Sequence, residues 1–357
     1  MTEADPETTF AERVLAWYDR HGRTGLPWQN PATPYRVWIS EIMLQQTRVE
    51  TVRAYFERFM ERFPDVPTLA AAQPDEVLGL WSGLGYYARA RNLHAAAQRM
   101  VAEHGGEVPA DFDALVDLPG IGRSTAGAIL SLAGGQPHAI LDGNVKRVLA
   151  RHIGLEEWPG RIRAQRILWN VAEARTPQAR TAAYNQGMMD LGASVCLRRP
   201  LCDACPVAED CQARHEGTTD RIPAPKPKRE LPRRETVALV AAAPGRRRHP
   251  ARAPAAEQGI WGGLWSLPEF DSEADLRAWL AARTGAEEVE ALAPVDHGFT
   301  HFRLRIHPHR ALVAHAETVA DADAHDWYTP DSIPGGIPAP IRRLADSLLG
   351  GGAGLLA

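Results

Sequence analysis

The stretch LPGIGRSTAGAIL, residues 118–130, decides the fold. Pro119 and Gly120 predict a tight turn, and Gly122 is expected to take a positive φ because it has no Cβ. The next helix is predicted to begin near Arg123. Backbone N–H groups at a glycine turn and a helix N-terminus can bind a phosphate oxygen without sequence preference. An ordinary helix–turn–helix corner remains the alternative on this stretch alone.

A single aspartate follows this turn, in HAILDGNVKRVLAR (138–151). Aspartate is a preferred N-cap, and an anion is stabilised at a helix N-terminus, so Asp142 is predicted to begin a new helix. A capping carboxylate at the mouth of a cleft is expected to stay ionised. It could then stabilise or attack a cation, although a purely capping role remains open.

A carboxyl group also lies inside PYRVWISEIMLQQTRVETV (34–52), which we predict to be one helix. The neighbours of Glu41 on that helix include Val37, Trp38 and Leu44, which are apolar. A desolvated carboxyl has a raised pKa and can hold a proton near neutral pH, as a general acid must. A partly exposed glutamate in an amphipathic helix is the alternative.

The four cysteines of the chain all lie in one short stretch, at Cys196, Cys202, Cys205 and Cys211. In a reducing compartment this clustering predicts a metal site before it predicts disulfides. Four thiolates can hold zinc or a four-iron cluster, and the spacing alone does not separate the two.

The bulk composition is that of an ordinary globular protein. The chain has 357 residues, 45% hydrophobic and 24% charged, which predicts two or three domains. Its net charge of −4 excludes whole-protein attraction to nucleic acid, so any such contact must come from local basic patches. No secretory signal or membrane span is predicted, and the expected location is the cytoplasm, at the nucleoid when acting on DNA.

The chain divides by composition into three parts. Residues 7–216 have helical spacing, 217–235 form a basic linker rich in proline, and 236–350 show an α+β pattern. In the last part we predict strands at 236–243, 263–267, 299–306 and 311–314, and helices at 273–283 and 340–349. The segment GRRRHPARAPAAEQ (245–258) has no apolar alternation and is expected to be a basic loop.

Several motifs together resemble one family. WISEIMLQQTRV around Glu41, LPW (26–28), WSGLGYYARARNL (81–93) and AYNQGMMDLGASVC (183–196) are similar to helix-hairpin-helix DNA glycosylases of the MutY type. GIWGGLWSLPEF (259–270) and HGFTHFRLRIHP (297–308) resemble the Nudix-like C-terminal domain of that family. The implied fold is a mainly α glycosylase domain with an iron–sulfur loop at 196–211, followed by an α+β Nudix-like domain.

The resemblance implies a monomeric, monofunctional enzyme of base excision repair. Its substrate would be double-stranded DNA with adenine mispaired with 8-oxoguanine or guanine, and its cofactor one four-iron four-sulfur cluster on the four cysteines. The implied catalytic residues are Glu41, which protonates the adenine, Asp142, which stabilises the oxocarbenium-like sugar, and Asn144. The remaining implied roles are substrate binding by Trp28, Gln186, Ser124, Phe299, Thr300 and His301, and DNA binding by Gln45, Gln46, Leu84, Tyr86, Gly120 and Gly122.

Several positions depart from related patterns. Endonuclease III-type lyases carry a Lys where this chain has Ser124, which cannot form a Schiff base. Thr24 replaces the Arg that the family commonly has two residues before Leu-Pro-Trp, Thr300 replaces a Ser, and the first cysteine gap is one residue shorter. No REUxEE-type helix follows the C-terminal glycines, so pyrophosphatase chemistry is not expected. A lyase and a non-catalytic iron–sulfur DNA-binding protein remain the alternatives.

Overall fold

The computed structural model describes residues 9–227, 230–242, 249–252, 261–284, 286, 288–313, 325–328 and 336–350. The chain forms two compact units. One comprises Met1–Ala71 with Asn92–Lys228, and the other comprises Ala72–Arg91 with Arg229–Ala357. No helix within the described ranges is long and apolar enough to cross a membrane.

The helices that precede the sheet are α1 Phe10–His21, α2 Pro34–Leu44, α3 Val49–Arg62, α4 Val66–Ala71, α5 Pro74–Trp81, α6 Ala88–Glu103, α7 Phe112–Asp117, α8 Arg123–Gly134, α9 Gly143–His152, α10 Ile162–Arg175, α11 Thr181–Ser194 and α12 Gln212–His215. In the first unit, α2 packs on α8, and α11 packs on α1, α8 and α9. Apolar side chains of α1, α9, α10 and α11, including Val14, Leu149, Leu168 and Leu191, form the core of this unit. Burial of each such side chain stabilises the fold by roughly 1.5–3 kcal/mol relative to leaving it exposed.

The predicted turn before α8 is present, but the glycine with a positive φ is Gly120 and not Gly122. Gly120 has φ +78, and a Cβ there would lie 2.9 Å from Cβ of Asn92. Gly122 has φ −93, so the expectation of a positive φ at this residue is wrong. It is instead the N-cap of α8, with no atom within 4 Å of where a Cβ would be. The prediction that the helix begins near Arg123 is confirmed.

The predicted single helix over 34–52 is wrong. The chain leaves α2 after Leu44, and α3 begins at Val49. Gln46 has φ +58, a left-handed conformation that no α-helix contains, and Arg48 is the N-cap of α3. The break falls on Gln45–Arg48, a run of four polar residues between the apolar Leu44 and Val49, which the prediction passed over.

The second unit contains β1 Arg233–Ala242, β2 His249–Arg252, β3 Glu269–Phe270, α13 Glu273–Thr284, β4 Val289–Ala291, β5 Val295–Gly298, β6 Arg303–Leu312, β7 His325–Tyr328 and α14 Ala339–Gly350. The main sheet has the order β3-β1-β6-β4, with β5 also paired to β6, and β2 pairs with β7 separately. β1 and β6 are parallel along their whole length. Leu239, Leu276, Leu280 and Val313 form the core of this unit.

Four strand predictions in this unit need correction. The strands expected at 299–306 and 311–314 are one strand, β6, because β1 pairs with it without interruption. Residues 263–267 are irregular apart from an isolated bridge at Ser266, and the strand beside β1 is β3. Within the expected basic loop, 249–252 form β2, whose ladder with β7 needs no apolar alternation. The rest of that segment lies outside the described residues, and β1 begins at Arg233 rather than at Thr236.

Candidate active site

A cavity of about 770 Å³ in the first unit brings together residues from distant parts of the sequence. Its volume falls in the range of small-molecule binding sites. Six of the predicted substrate and catalytic residues line it: Trp28, Glu41, Ser124, Asp142, Asn144 and Gln186. Its lining also includes the predicted residues Gln45 and Gln46, and two that the sequence analysis did not single out, Arg23 and Arg147.

Glu41 is held by α2, whose residues on either side are among the most buried in the unit. Trp38, Ile39 and Ile42 are all at most 3% exposed. Burial, and then the negative charge of Asp142, raise the pKa of Glu41 to about 8. Its carboxyl group therefore holds its proton at neutral pH while facing an open cavity.

Asp142 is the N-cap of α9, as predicted. Its Oδ1 accepts a hydrogen bond from the backbone N–H of Val145 at 2.8 Å. Burial raises the pKa of Asp142, while the N–H groups of Val145 and Asn144 and the charges of Arg147 and Lys146 lower it. These favourable contacts act on Asp142 and not on Glu41, so Asp142 ionises before Glu41, whose pKa its charge raises further.

Arg147 joins the start of α9 to two neighbouring backbone segments. Its Nη2 donates to Oδ1 of Asn144 at 2.9 Å and to the carbonyl of Gly192 at 2.6 Å, and its Nε donates to the carbonyl of Cys196 at 2.7 Å. Only a glycine at position 192 of α11 leaves room for Asn144 of α9, because a Cβ there would lie 2.5 Å from Cβ of Asn144. The orientation of Asn144 is thus tied to the first cysteine of the cluster.

A second polar network forms another part of the cavity lining. Asp190, only 1% exposed, accepts hydrogen bonds from the backbone N–H and Nε of Arg23 at 2.7 and 2.8 Å, and from Nε2 of Gln186 at 2.9 Å. These bonds fix the orientation of the Gln186 amide. Trp28 is buried and packs edge-on against Phe56 at a centroid distance of 5.4 Å. Arg23 thereby reaches the cavity although Thr24 holds the position where an arginine was expected.

Ser124 lies in the first turn of α8 and faces the same cavity. Its Oγ accepts a hydrogen bond from the backbone N–H of Leu141 at 2.9 Å. This bond links the hairpin helix to the residue just before Asp142. The side chain at this position therefore has a structural partner and carries no amine.

Two predicted residues, Leu84 and Tyr86, do not line the cavity and belong to the second unit. Their turn has positive φ at Gly83, Gly85 and Tyr86, and Nε1 of Trp81 donates to the carbonyl of Gly85 at 3.2 Å. Leu84 is buried, whereas the side chain of Tyr86 is 46% exposed.

The four cysteines surround one small cavity, together with Arg151. None is in a disulfide. Nη1 of Arg151 lies 3.3 Å from Sγ of Cys196, and burial and the other cysteines raise the pKa of the Cys205 thiol to about 11. Among the described residues, no group of three or more His, Cys, Asp or Glu side chains is arranged to hold a single metal ion.

Phe299, Thr300 and His301 form the loop between β5 and β6. Phe299 stacks on Phe302 at 4.4 Å and contacts Trp261 at 5.2 Å. Thr300 and His301 are exposed, and the Thr300 hydroxyl lies 3.4 Å from Nδ1 of His301. An aromatic base thus supports two polar side chains that face solvent.

Comparison with known proteins agrees with this geometry. Residues 39–174 match the family described as HhH-GPD superfamily base excision DNA repair protein, and residues 256–347 match the NUDIX domain family. An adenine DNA glycosylase of Buchnera aphidicola (subspecies Acyrthosiphon pisum) is 38% identical over 347 residues, 95% of this chain and 97% of that protein. The chain belongs to the adenine DNA glycosylase family. The predicted family, fold class and enzyme class are confirmed.

Some other similar proteins match a smaller share of this adenine DNA glycosylase family member. The human adenine DNA glycosylase is 42% identical over 225 residues, which are 60% of this chain and 41% of that protein. A thermostable thymine-DNA glycosylase superposes with a TM-score of 0.54 at 28% identity, covering 58% of this chain and 95% of that one. An endonuclease III in a non-covalent DNA complex, at 22% identity and a TM-score of 0.50, shows the shared fold alone.

Three cavity or network residues of this adenine DNA glycosylase family member, Arg23, Asp190 and Arg147, were not predicted as site residues from the sequence. Each is one member of a buried hydrogen-bond network whose partners are far away in the sequence. A weak signal existed for Arg147, which lies three residues after Asn144 on the same face of α9, and for Asp190, four residues after Gln186 on α11.

Proposed function

We propose that this chain is a monofunctional DNA glycosylase that hydrolyses the N-glycosidic bond of adenine mispaired with 8-oxoguanine or guanine in duplex DNA. One observation carries the proposal. Glu41, with its raised pKa, and the more acidic Asp142 line one cavity large enough for a purine. A carboxylic acid beside a carboxylate is the pair that cleavage through an oxocarbenium-like state needs.

In this mechanism the proton held by Glu41 goes to a ring nitrogen of the adenine. Protonation makes the base a better leaving group, and the bond to the sugar carbon breaks with its electrons moving to the base. The cationic sugar is stabilised by the Asp142 carboxylate, which α9 holds in place through Val145. Water then attacks the sugar carbon and loses a proton. Asn144, fixed by Arg147, orients the sugar or this water.

The base would lie against Trp28 and Gln186. The indole ring of Trp28 offers an apolar face for a flipped purine, as base-flipping enzymes require. The carboxylate of Asp190 engages the NH₂ group of Gln186, so the amide oxygen remains to accept a hydrogen bond from the exocyclic amine of adenine. Ser124 has no amine with which to attack the sugar, so strand cleavage is not part of this reaction.

The duplex would be held by elements at the rim of the cavity and by the turn of the second unit. Gly122 at the N-terminus of α8 leaves open space over backbone N–H groups, which suits a phosphate, and Gly120 shapes that turn. Gln45 and the exposed Gln46 would enter the duplex. Leu84 and Tyr86 would act as a wedge that offsets unstacking, a few kcal/mol per base step. The partly exposed Tyr86 can reach a base pair directly.

Phe299, Thr300 and His301 would recognise 8-oxoguanine on the opposite strand. The exposed Thr300 hydroxyl and His301 ring can donate or accept hydrogen bonds. In this assignment residues 7–216 are the glycosylase domain, 217–235 the linker and 236–350 the 8-oxoguanine recognition domain. Both domains serve one duplex.

The four cysteines fit a four-iron four-sulfur cluster. Their sulfurs share one cavity without disulfides, and the Arg151 guanidinium beside Cys196 suits a negatively charged set of thiolates. A bound cluster would supply a rigid, negatively charged cross-link for the loop. Its ligands would be Cys196, Cys202, Cys205 and Cys211. Because Arg147 donates hydrogen bonds to both the Cys196 carbonyl and Asn144, a fixed Cys196 would also help to fix Asn144.

The test is single-turnover base release from three duplexes, with adenine opposite 8-oxoguanine, adenine opposite guanine, and thymine glycol opposite adenine. We expect release of adenine from the first two, fastest opposite 8-oxoguanine, with strand nicking only after added alkali. Release of thymine glycol with spontaneous nicking would assign the chain to the lyases. Binding without any base release would support the non-catalytic alternative.

A further inference from the structure

Two arginines meet at the ends of β1 and β6. Arg233 and Arg303 are directly opposite each other in the parallel ladder, and Arg303 is also opposite Gly298 of β5. Both arginines are exposed, while Leu304, the residue after Arg303, is buried on the other face of the sheet. They line a cavity of about 300 Å³ at this corner of the second unit. We call Arg233 and Arg303 the arginine pair.

The acidic groups of this corner are already engaged elsewhere. Asp296 accepts two hydrogen bonds from Arg305, at 2.9 Å each, and Glu235 lies 3.0 Å from Nε2 of His307. Within the described part of the chain, the guanidinium groups of the arginine pair make no hydrogen bond and no ion pair. Like charges directly opposite on neighbouring strands destabilise a sheet. The hydrogen bonds from Arg305, and then the charges of Arg305 and Arg233, lower the pKa of Asp296, so the charge of Arg233 also acts on this carboxylate. The corner still holds two cations side by side, and an anion would stabilise them.

The shape of the corner suits a phosphate group. Guanidinium groups bind phosphate oxygens through two parallel hydrogen bonds, and two of them can share one phosphate or hold two successive ones. Gly298 keeps the space beside Arg303 open, since no atom lies within 4 Å of where its Cβ would be. The 299–301 loop begins at the very next residue. A phosphate bound here would thus lie beside the two polar side chains that this loop presents.

We propose that the arginine pair binds a backbone phosphate of the DNA strand that carries the base read by Phe299, Thr300 and His301. This inference rests on the proposed function for its choice of strand. A phosphate contact carries no sequence information but fixes register, so it would hold the duplex while the loop reads one base. It also supplies a local basic patch, which an acidic chain of net charge −4 needs in order to bind DNA.

The first experiment measures the salt dependence of duplex binding by the full chain. The probe is a duplex with the uncleavable 2′-fluoro-2′-deoxyadenosine opposite 8-oxoguanine. For Arg233→Gln/Arg303→Gln we expect about tenfold weaker binding near physiological salt and a log–log salt slope that is less steep by about 1–2. The matched control is Arg305→Gln, which removes an arginine of the same face that Asp296 already neutralises.

A second experiment locates the phosphate. Single phosphates of the 8-oxoguanine strand, and in a second series those of the adenine strand, are replaced one at a time by neutral methylphosphonate. At one or two positions near the lesion, binding by the wild type should weaken while binding by the double variant stays the same. Sensitive positions only in the adenine strand would overturn the strand assignment. An unchanged salt slope in the double variant would overturn the proposal.

Two further measurements keep the proposal falsifiable. The double variant should melt at the same temperature as the wild type or higher, because a repulsive pair has been removed, and Arg233→Lys/Arg303→Lys should restore the slope. If millimolar inorganic phosphate binds at the pair but duplex binding is the same in wild type and variant, the site takes free anions and the proposal fails. None of these measurements needs base release, so failure of the proposed enzymatic function would be seen separately.

Discussion

The cavity around Glu41 and the loop at 299–301 serve the same proposed substrate but are built in opposite ways. The cavity draws side chains from five helices and from neighbouring loops of the first unit, and its key groups are buried or hydrogen-bonded to backbone. The loop is a single short run of sequence, exposed and supported from behind by stacked rings. The cavity shields its carboxyl groups from water, whereas the loop exposes its polar side chains to water.

The difference follows from what each region has to do. Bond cleavage needs a carboxyl group whose pKa is displaced, and only desolvation and a neighbouring charge displace it far enough. Reading a base in the opposite strand needs hydrogen-bonding groups that reach outward, and these lose nothing by exposure. Substitutions in the cavity should therefore change rates by large factors, and substitutions in the loop should change selectivity by small ones.

The largest effect is expected for Glu41→Gln. Removing the proton donor while keeping the shape should slow single-turnover release of adenine by about 10²- to 10⁴-fold, the usual contribution of general acid catalysis. Duplex affinity should stay within a few-fold of the wild type. The matched control is Glu57→Gln, an exposed residue of α3 outside the cavity. Unchanged adenine release in Glu41→Gln would remove the basis of the catalytic assignment.

The same variant should be more stable than the wild type at neutral pH. The pKa of Glu41 is raised from 4.5 to about 8 in the folded chain, so its effect on stability is fully present below 4.5 and is lost as pH rises through about 8. Glutamine does not titrate. The difference in melting temperature between variant and wild type should therefore grow over this window, and equal melting curves at all pH values would contradict a buried, protonated Glu41.

The next effect is the pH dependence of the wild-type rate. Because Glu41 must be protonated to act, the single-turnover rate should be level at neutral pH and fall above about 8, losing about tenfold between pH 7 and 9. Duplex affinity measured at each pH separates loss of binding from loss of chemistry. A rate that rises through this range would indicate a required base instead of a required acid.

A smaller effect is expected for Asp190→Asn. The amide keeps the shape but gives up the charge that holds Arg23 and part of the hydrogen bonding to Gln186. Misplacing the base contact should lower the single-turnover rate by about tenfold, within the range that small misorientations produce, and leave duplex affinity nearly unchanged. Asp19→Asn breaks an exposed ion pair with Arg180 and should have no measurable effect on the rate.

The two regions also differ in how far the sequence predicted them. Glu41 and Asp142 could be proposed from local signals, an acid among apolar residues and an aspartate before a helix. That they line one cavity follows from α2 packing on α8 and α11 packing on α9, which no local pattern specifies. Asp190 and Arg147 act through partners distant in sequence, so only the folded chain identifies them.

The errors have equally local causes. The break at Gln46, which brings Gln45 and Gln46 to the cavity, falls in four polar residues that could equally be the exposed face of one continuous helix. A turn needs one glycine with positive φ, but the sequence does not say which of Gly120 and Gly122 it is. The stretch HPHR at 307–310 separates the two predicted strands in the sequence, and pairing with β1 continues through it to form the single strand β6.

The smallest expected effect is also the one that most sharpens the comparison. Thr300→Ala removes one exposed hydroxyl. A neutral hydrogen bond contributes about 0.5–1.5 kcal/mol. Its loss should therefore lower the preference for adenine opposite 8-oxoguanine over adenine opposite guanine by about 2- to 12-fold. Release opposite guanine should not change, because the cavity is intact. Thr300→Ser should restore the preference. If both substrates slow equally in Thr300→Ala, the loop contributes to holding the duplex and not to reading the base, and selectivity must then arise elsewhere in the molecule.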